Sequence, residues 1–254
     1  MSSAEIYALQ VEEDFREEAL DTLNEFQVLL GNINSGAVPV REGVARLGYE
    51  IRNLAFQAKA VGMPLVELVL RRFEGYLADA MPLDDAHNRD IEVFLDIVRG
   101  LLNGSIDSNA DEAEMVRSLP VPRAVDVDEI VALDVEILLV DPQRSAARLF
   151  ERELRSCGYR VSTCAHAVEA IELAVRTRPD MVITSAVLDD LTGIDLANAL
   201  VAMPTTAKIP VALLSSFDPE DPRLEHLPET VPLLRKGKEF GADLADALQQ
   251  YGIT

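Results

Sequence analysis

Apolar positions along the first hundred residues recur at helical spacing. Ile6, Leu9, Phe15, Leu20, Leu23, Phe26 and Leu30 alternate with acidic residues, which predicts an amphipathic helix over residues 4–30. Gly31, Asn32, Asn34, Ser35 and Gly36 then supply stop signals. The same reading predicts a second helix over 41–61 and a third from Pro64 to about residue 80, with proline suited to a first helical turn. A fourth runs from Asp85 to Leu102, with Ile91, Phe94, Leu95, Val98 and Leu102 on one face and Asn103-Gly104 at its end. Four such helices on short connections predict an antiparallel bundle over residues 1–104.

Residues 105–133 change character. They are polar and acidic, with Pro120 and Pro122 two apart, and read as a linker that carries a short helix at 111–118. From residue 134 the period switches. Apolar runs at 135–140, 159–163, 181–184, 210–214 and 232–234 read as strands. Helical patterns at 145–156, 167–177, 193–202 and 240–251 separate them. Strict alternation of this kind predicts a doubly wound parallel sheet of five strands over 134–254. The fold class is therefore α plus α/β. Only 218–228, with three prolines and many acids, resists a helix that the topology would place there.

Composition narrows the chemistry. The 254 residues carry a net charge of −21, with acids in excess in both halves, which argues against nucleic acid and anionic membranes as partners. Two cysteines, Cys157 and Cys164, form neither a disulfide framework nor a CxxC pair. His87, His166 and His226 are scattered without ligand spacing. With no run of 18 apolar residues and no signal pattern at the N-terminus, a reducing cytoplasm is the expected location. No Walker loop, GxGxxG after a strand, or GxSxG is present, so an enzyme of those classes is not expected.

The predicted strand ends carry the candidate chemistry. ILLVDPQ places Asp141 and Pro142 after the first strand, and PDMVITSAVLDDLTG places Ser185 after the third. IPVALLSS places Ser215 after the fourth, and LLRKGK places Lys236 after the fifth. The intervals are 44, 30 and 21 positions. These segments resemble a two-component response-regulator receiver domain of flavodoxin-like fold. The resemblance implies an acidic pair at Asp141-Pro142, a phosphoacceptor aspartate at Ser185, a switch hydroxyl at Ser215 and a lysine at Lys236. The chain departs from that pattern: the pocket has one carboxylate where the family has three, and Gly237 stands where a proline is usual.

Mg²⁺ prefers hard oxygen ligands, carboxylates above all. One charge at about 4 Å is worth roughly 4 kcal/mol at an effective dielectric near 20. Loss of two carboxylates predicts weak or absent Mg²⁺ binding, and no other cofactor is expected. A serine without a base is a poor nucleophile. The expectation is a pseudo-receiver in which Asp141 and Lys236 pair and Ser185 makes a local hydrogen bond. Asp189 and Asp190, on the loop beyond the strand, are the nearest alternative acids.

IRNLAFQAKAVGMPLVELVLRRFEGYL is similar to part of a histidine-phosphotransfer (Hpt) domain, with Leu54, Gly62 and RRFE in matching places. The phosphohistidine position is Arg52, the lysine is Ala55 and the small residue beside it is Phe56. Arginine is permanently charged and carries no phosphate. Phe56 is expected to pack in the core, the alternative being an aromatic anchor at an interface. Taken together, the resemblances imply a non-catalytic phosphorelay adaptor that binds histidine kinases, receivers or Hpt domains in a bacterial cytoplasm. The alternatives are an active phosphorelay component with unorthodox acceptors, and a helical module that forms a homodimer through its first helix.

Overall fold

The computed structural model describes residues 2–79, 83–122 and 133–253. It divides the chain into two compact units, residues 1–122 and 123–254.

The first unit is helical. α1 (Ser3–Asn34), α2 (Val40–Ala60), α3 (Pro64–Asp79) and α4 (Asp85–Asn103) pack as a closed bundle, α1 on α2 and α4, α3 on α2 and α4. The core holds one stripe from each: Phe15, Leu23, Phe26 and Ile33 from α1, and Leu47, Ile51, Leu54 and Ala58 from α2. Phe73 stacks on Phe94 at 4.9 Å between ring centres, joining α3 to α4. Gly43 lets α2 approach α1, since a Cβ there would lie 2.3 Å from the Ile33 side chain. Asp84 caps α4 by accepting from the N–H groups of Ala86 and His87. At its other end, the Arg16 guanidinium donates to the carbonyls of Leu101 and Leu102, which a helix terminus otherwise leaves open.

Two boundaries differ from the sequence expectation. α1 runs through Gly31 to Asn34, because burial of Leu30 and Ile33 outweighs the helix penalty of one glycine. Within the stretch read as a linker, α5 (Glu112–Ser118) packs on α3 and buries Ala113, Val116 and Leu119, so the helical unit extends to Pro122. Within that stretch, residues 123–132 lie outside the described residues.

The second unit is a five-stranded parallel sheet in the order β2-β1-β3-β4-β5. Its strands are β1 (Glu136–Val140), β2 (Arg160–Cys164), β3 (Met181–Ser185), β4 (Val211–Ser215) and β5 (Leu233–Arg235). α6 (Arg144–Ser156), α7 (Ala167–Thr177), α8 (Gly193–Ala202) and α9 (Phe240–Tyr251) provide the helical crossovers and cover. β1, β3 and β4 are buried at every position, as strands covered on both faces must be. One face packs Leu138, Val140, Val182 and Leu213 against α7 and α8. The other packs Ile137, Leu139, Ile183 and Leu214 with Phe150 of α6 and Phe240 of α9. The crossover from β4 to β5 has only a 3₁₀ turn at Pro222–Leu224, consistent with the three prolines there, and Leu224 and Val231 close the core beneath it. Among the described residues no helix is long and apolar enough to cross a membrane.

Candidate functional site

Parallel pairing sets the carboxyl ends of β1, β3, β4 and β5 side by side, where open α/β sheets place their sites. The register pairs Ser185 with Leu214 and Ser215 with Arg235. The candidate residues therefore meet because each is the last residue of a strand or the first beyond it.

Asp141 follows β1 and is buried, its side chain 1% exposed. Its Oδ1 accepts the N–H of Gln143 at 2.9 Å, a short loop made across Pro142. Its Oδ2 lies 3.3 Å from the Lys236 ammonium. Lys236 also donates to Ser185 Oγ at 3.2 Å. One lysine thus holds the ends of β1 and β3 together from the far side of the sheet, and its ammonium sits 5.9 Å above the Phe150 ring. Ser215 is placed in the same row but turned to its own loop: Oγ accepts the N–H of Phe217 at 2.9 Å. Its carbonyl accepts the Lys236 N–H at 2.8 Å, which fixes where the lysine leaves the sheet.

Two glycines set the backbone here. Gly193 opens α8 against the end of β3, and a Cβ at that position would fall 2.0 Å from the Ser185 carbonyl oxygen. Gly237 has φ +111°, which proline, locked near −65°, cannot adopt. The absence of a proline after Lys236 therefore matches the path of the chain.

The donor set does not suit Mg²⁺. Both oxygens of the only pocket carboxylate are engaged, one by an amide N–H and one by an ammonium. Pro142 and Ser185 bring no second carboxylate, and among the described residues no cluster of three His, Cys, Asp or Glu side chains could hold a metal ion. Nor does the geometry activate Ser185. Its neighbour donates to Oγ and is ion-paired, the opposite of a base drawing a proton away.

Asp190 has a role that sequence reasoning missed. From the β3–α8 loop it accepts the N–H groups of Ala167 and Val168, the open donors at the start of α7. Those backbone bonds, the one to Ala167 foremost, hold its carboxyl down to about 2. The tie spans 23 residues, so no local motif announces it. Asp189 is exposed on the same loop.

The helical unit carries the other candidates. Arg52 lies on the outer side of α2 and is tied to Glu74 of α3, at 2.7 Å from Nε and 2.5 Å from Nη2. The hydrogen bond to Glu74 raises its already high pKa. Ala55 is buried against the bundle. Phe56 is not in the core, contrary to the expectation for it: it is 76% exposed. The core stripe of α2 runs 47, 51, 54, 58, and residue 56 falls on the opposite face.

Comparison with known proteins agrees with this architecture. Residues 137–229 match the family model of the response regulator receiver domain. Response regulator PleD of Caulobacter vibrioides is 30% identical over 95 residues, 37% of this chain and 21% of its own length. Transcriptional regulatory protein PrrA of Mycobacterium leprae is 34% identical over 91 residues, 36% of this chain and 38% of its own. The chain thus spans less than two fifths of the length of either relative. A crystal structure of a response regulator from Desulfuromonas acetoxidans is 31% identical, with a TM-score of 0.39, over 45% of this chain and 97% of that one. The strand order, the row of residues at the strand ends and the family match lead to one assignment: residues 137–229 form a response regulator receiver domain.

Proposed function

We propose that this chain is a non-catalytic adaptor of two-component signalling, an intracellular protein that binds other signalling proteins without passing phosphate. The observation that carries the reading is the triple contact of Lys236, Asp141 and Ser185. Phosphoryl transfer in a receiver calls for a carboxylate nucleophile beside a metal-binding acidic pair. This pocket supplies a hydroxyl, one carboxylate and a cation that occupies both. It needs no ion to be electrically balanced, and Mg²⁺ or any other cofactor is not part of the proposal.

The helical unit is read in the same direction. If it descends from an Hpt domain, its phosphohistidine position is now Arg52, locked to Glu74, and the neighbouring surface presents Phe56 to solvent. A fixed cation and an exposed aromatic suit binding better than chemistry. Suitable partners are histidine kinases, receivers or Hpt domains.

The test is incubation of the full chain with acetyl phosphate and Mg²⁺, followed by intact-mass measurement. The expected result is no added phosphate. A stoichiometric gain of one phosphate mapped to Ser185, Asp141 or Asp189 would overturn the proposal in favour of an active phosphorelay component.

A further inference from the structure

α1 is longer than the bundle it helps to build. At 1.5 Å per residue its 32 residues span about 48 Å, against about 32 Å for the 21 of α2. The first buried side chain of α1 is Phe15. The described side chains before it are exposed or half-buried, with Ile6 54%, Tyr7 72% and Leu9 54% exposed. About three helical turns therefore stand clear of the core while carrying apolar side chains. A helix of that length is marginal in water unless something packs on it. This one nevertheless has a complete capping box, Ser2 with Glu5, at its start.

A complementary surface lies on α2. Tyr49 and Phe56, seven residues apart, share one outward face and are 59% and 76% exposed. Ala45 and Ala60 extend that face, and Arg46 and Arg52 flank it. α2 carries four cations and two acids, net +2, on a chain of net −21. The overhanging turns of α1, residues 3–14, carry four acids and no basic residue, net −4. At physiological salt only charges within about 8 Å act strongly on each other, so these local signs decide what docks, not the total.

We propose that the protein forms a reciprocal dimer in which the N-terminal turns of α1 from one copy lie on the Tyr49–Phe56 face of α2 in the other. Ile6 and Leu9, three apart, provide the apolar contact, and Glu13 continues the same helical face towards the cationic flanks of α2. Both halves of the contact reside on one chain, yet they cannot meet within it. α1 and α2 are consecutive packed helices joined by a short loop, so the start of α1 lies beyond the end of α2. Folding it back would break the helix. A second copy satisfies both surfaces twice by two-fold symmetry. The contact uses the Arg52–Phe56 face that the adaptor reading gives to partners, but it does not rest on that reading. Phosphate labelling and self-association are read separately.

The experiment is sedimentation velocity on the full chain and two variants, Ile6→Glu/Leu9→Glu and Phe56→Glu, up to about 100 µM, where a micromolar contact is saturated. All three side chains are exposed, so both variants keep the helical content of the parent by circular dichroism. The parent is expected to be dimeric, and each variant to dimerise at least about tenfold more weakly, the effect of losing an interface anchor. An equimolar mixture of the two variants is expected to regain association, because one overhang and one α2 face remain intact in the mixed pair. A parent that stays monomeric overturns the proposal. So does a Phe56→Glu variant that dimerises like the parent, which would assign the contact to α1 pairing with α1, or a mixture no more associated than its components.

Discussion

Lys236→Met is the sharpest test of the receiver pocket. The substitution keeps a side chain of similar length and removes only the ammonium. At 3.3 Å and an effective dielectric near 20, the lost attraction to Asp141 is about 5 kcal/mol. That figure is gross. Lys236 is 27% exposed, so water recovers part of the loss, and Asp141 keeps the Gln143 N–H. The net cost is about 3 kcal/mol, at the low end for breaking a buried pair and leaving one charge behind. The two units make a single global transition unsafe to assume. The assay is therefore hydrogen exchange in increasing urea, read on peptides covering β1 and β3. Adding Asp141→Asn removes the stranded charge, so the double variant should regain at least half of the loss. A cost below about 1 kcal/mol for Lys236→Met, with no recovery in the double variant, would refute the view that this lysine ties the strand ends together.

Ser185→Asp places a second carboxylate within reach of Lys236 and should raise Mg²⁺ affinity at least about tenfold over the parent by calorimetric titration. Equal affinity would show that Pro142, and not Ser185, limits the site. Gly193→Ala drives a Cβ into a backbone oxygen 2.0 Å away and should cost about 3 kcal/mol, measured by the same urea series on β3 peptides. The Asp190 carboxyl is depressed when folded, so its contribution is complete above the ordinary value of 3.8 and is lost as pH falls towards about 2. Carboxyl NMR should find it titrating near 2, and Asp190→Asn should remove that titration and speed amide exchange at Ala167 and Val168. A carboxyl that titrates near 3.8 would mean the tie to α7 does not persist in solution.

Much of the receiver unit was legible in the sequence because its strands are buried on both faces. Runs such as ILLV and MVIT can be little else when they alternate with amphipathic segments, and a residue just after such a run stands at the edge where sites form. Asp141, Ser185, Ser215 and Lys236 could thus be placed at strand ends, and the resemblance to a receiver domain singled them out as one group. Side-chain direction could not. Ser215 sits in the row but bonds to Phe217, and Asp190 reaches across to α7 through a tie between residues far apart in sequence. The helical unit misled in another way. The α2 stripe 47, 51, 54, 58 already excludes residue 56 from the core, but an aromatic residue invites a core assignment on hydrophobicity. α5 was legible as a short helix, but its docking on α3 was not, because only three apolar positions, 113, 116 and 119, among polar residues mark its buried side.

The substitutions in the pocket belong together in energetic terms. A receiver with three carboxylates and one lysine has a net charge of about −2 in a confined space, which a dication must offset. Changing only the phosphoacceptor to serine would leave two acids beside one lysine and still favour a cation. With proline in the place of the second acid, Asp141 and Lys236 balance one another and the buried charges are paired. On the proposed reading, a neutral pocket would have no electrostatic reason to recruit Mg²⁺, and Lys236 would bridge the strand ends without a phosphoryl group. Gly237 follows, since a lysine held by Asp141, Ser185 and the Ser215 carbonyl leaves the sheet at a φ that proline forbids. On this argument, reinstating one carboxylate cannot restore receiver chemistry. Ser185→Asp should bind metal without being labelled by acetyl phosphate, and only Ser185→Asp with Pro142→Asp should acquire a phosphate detectable by intact mass. Labelling of the single variant would show that the acidic pair is dispensable here and that serine alone silences the site.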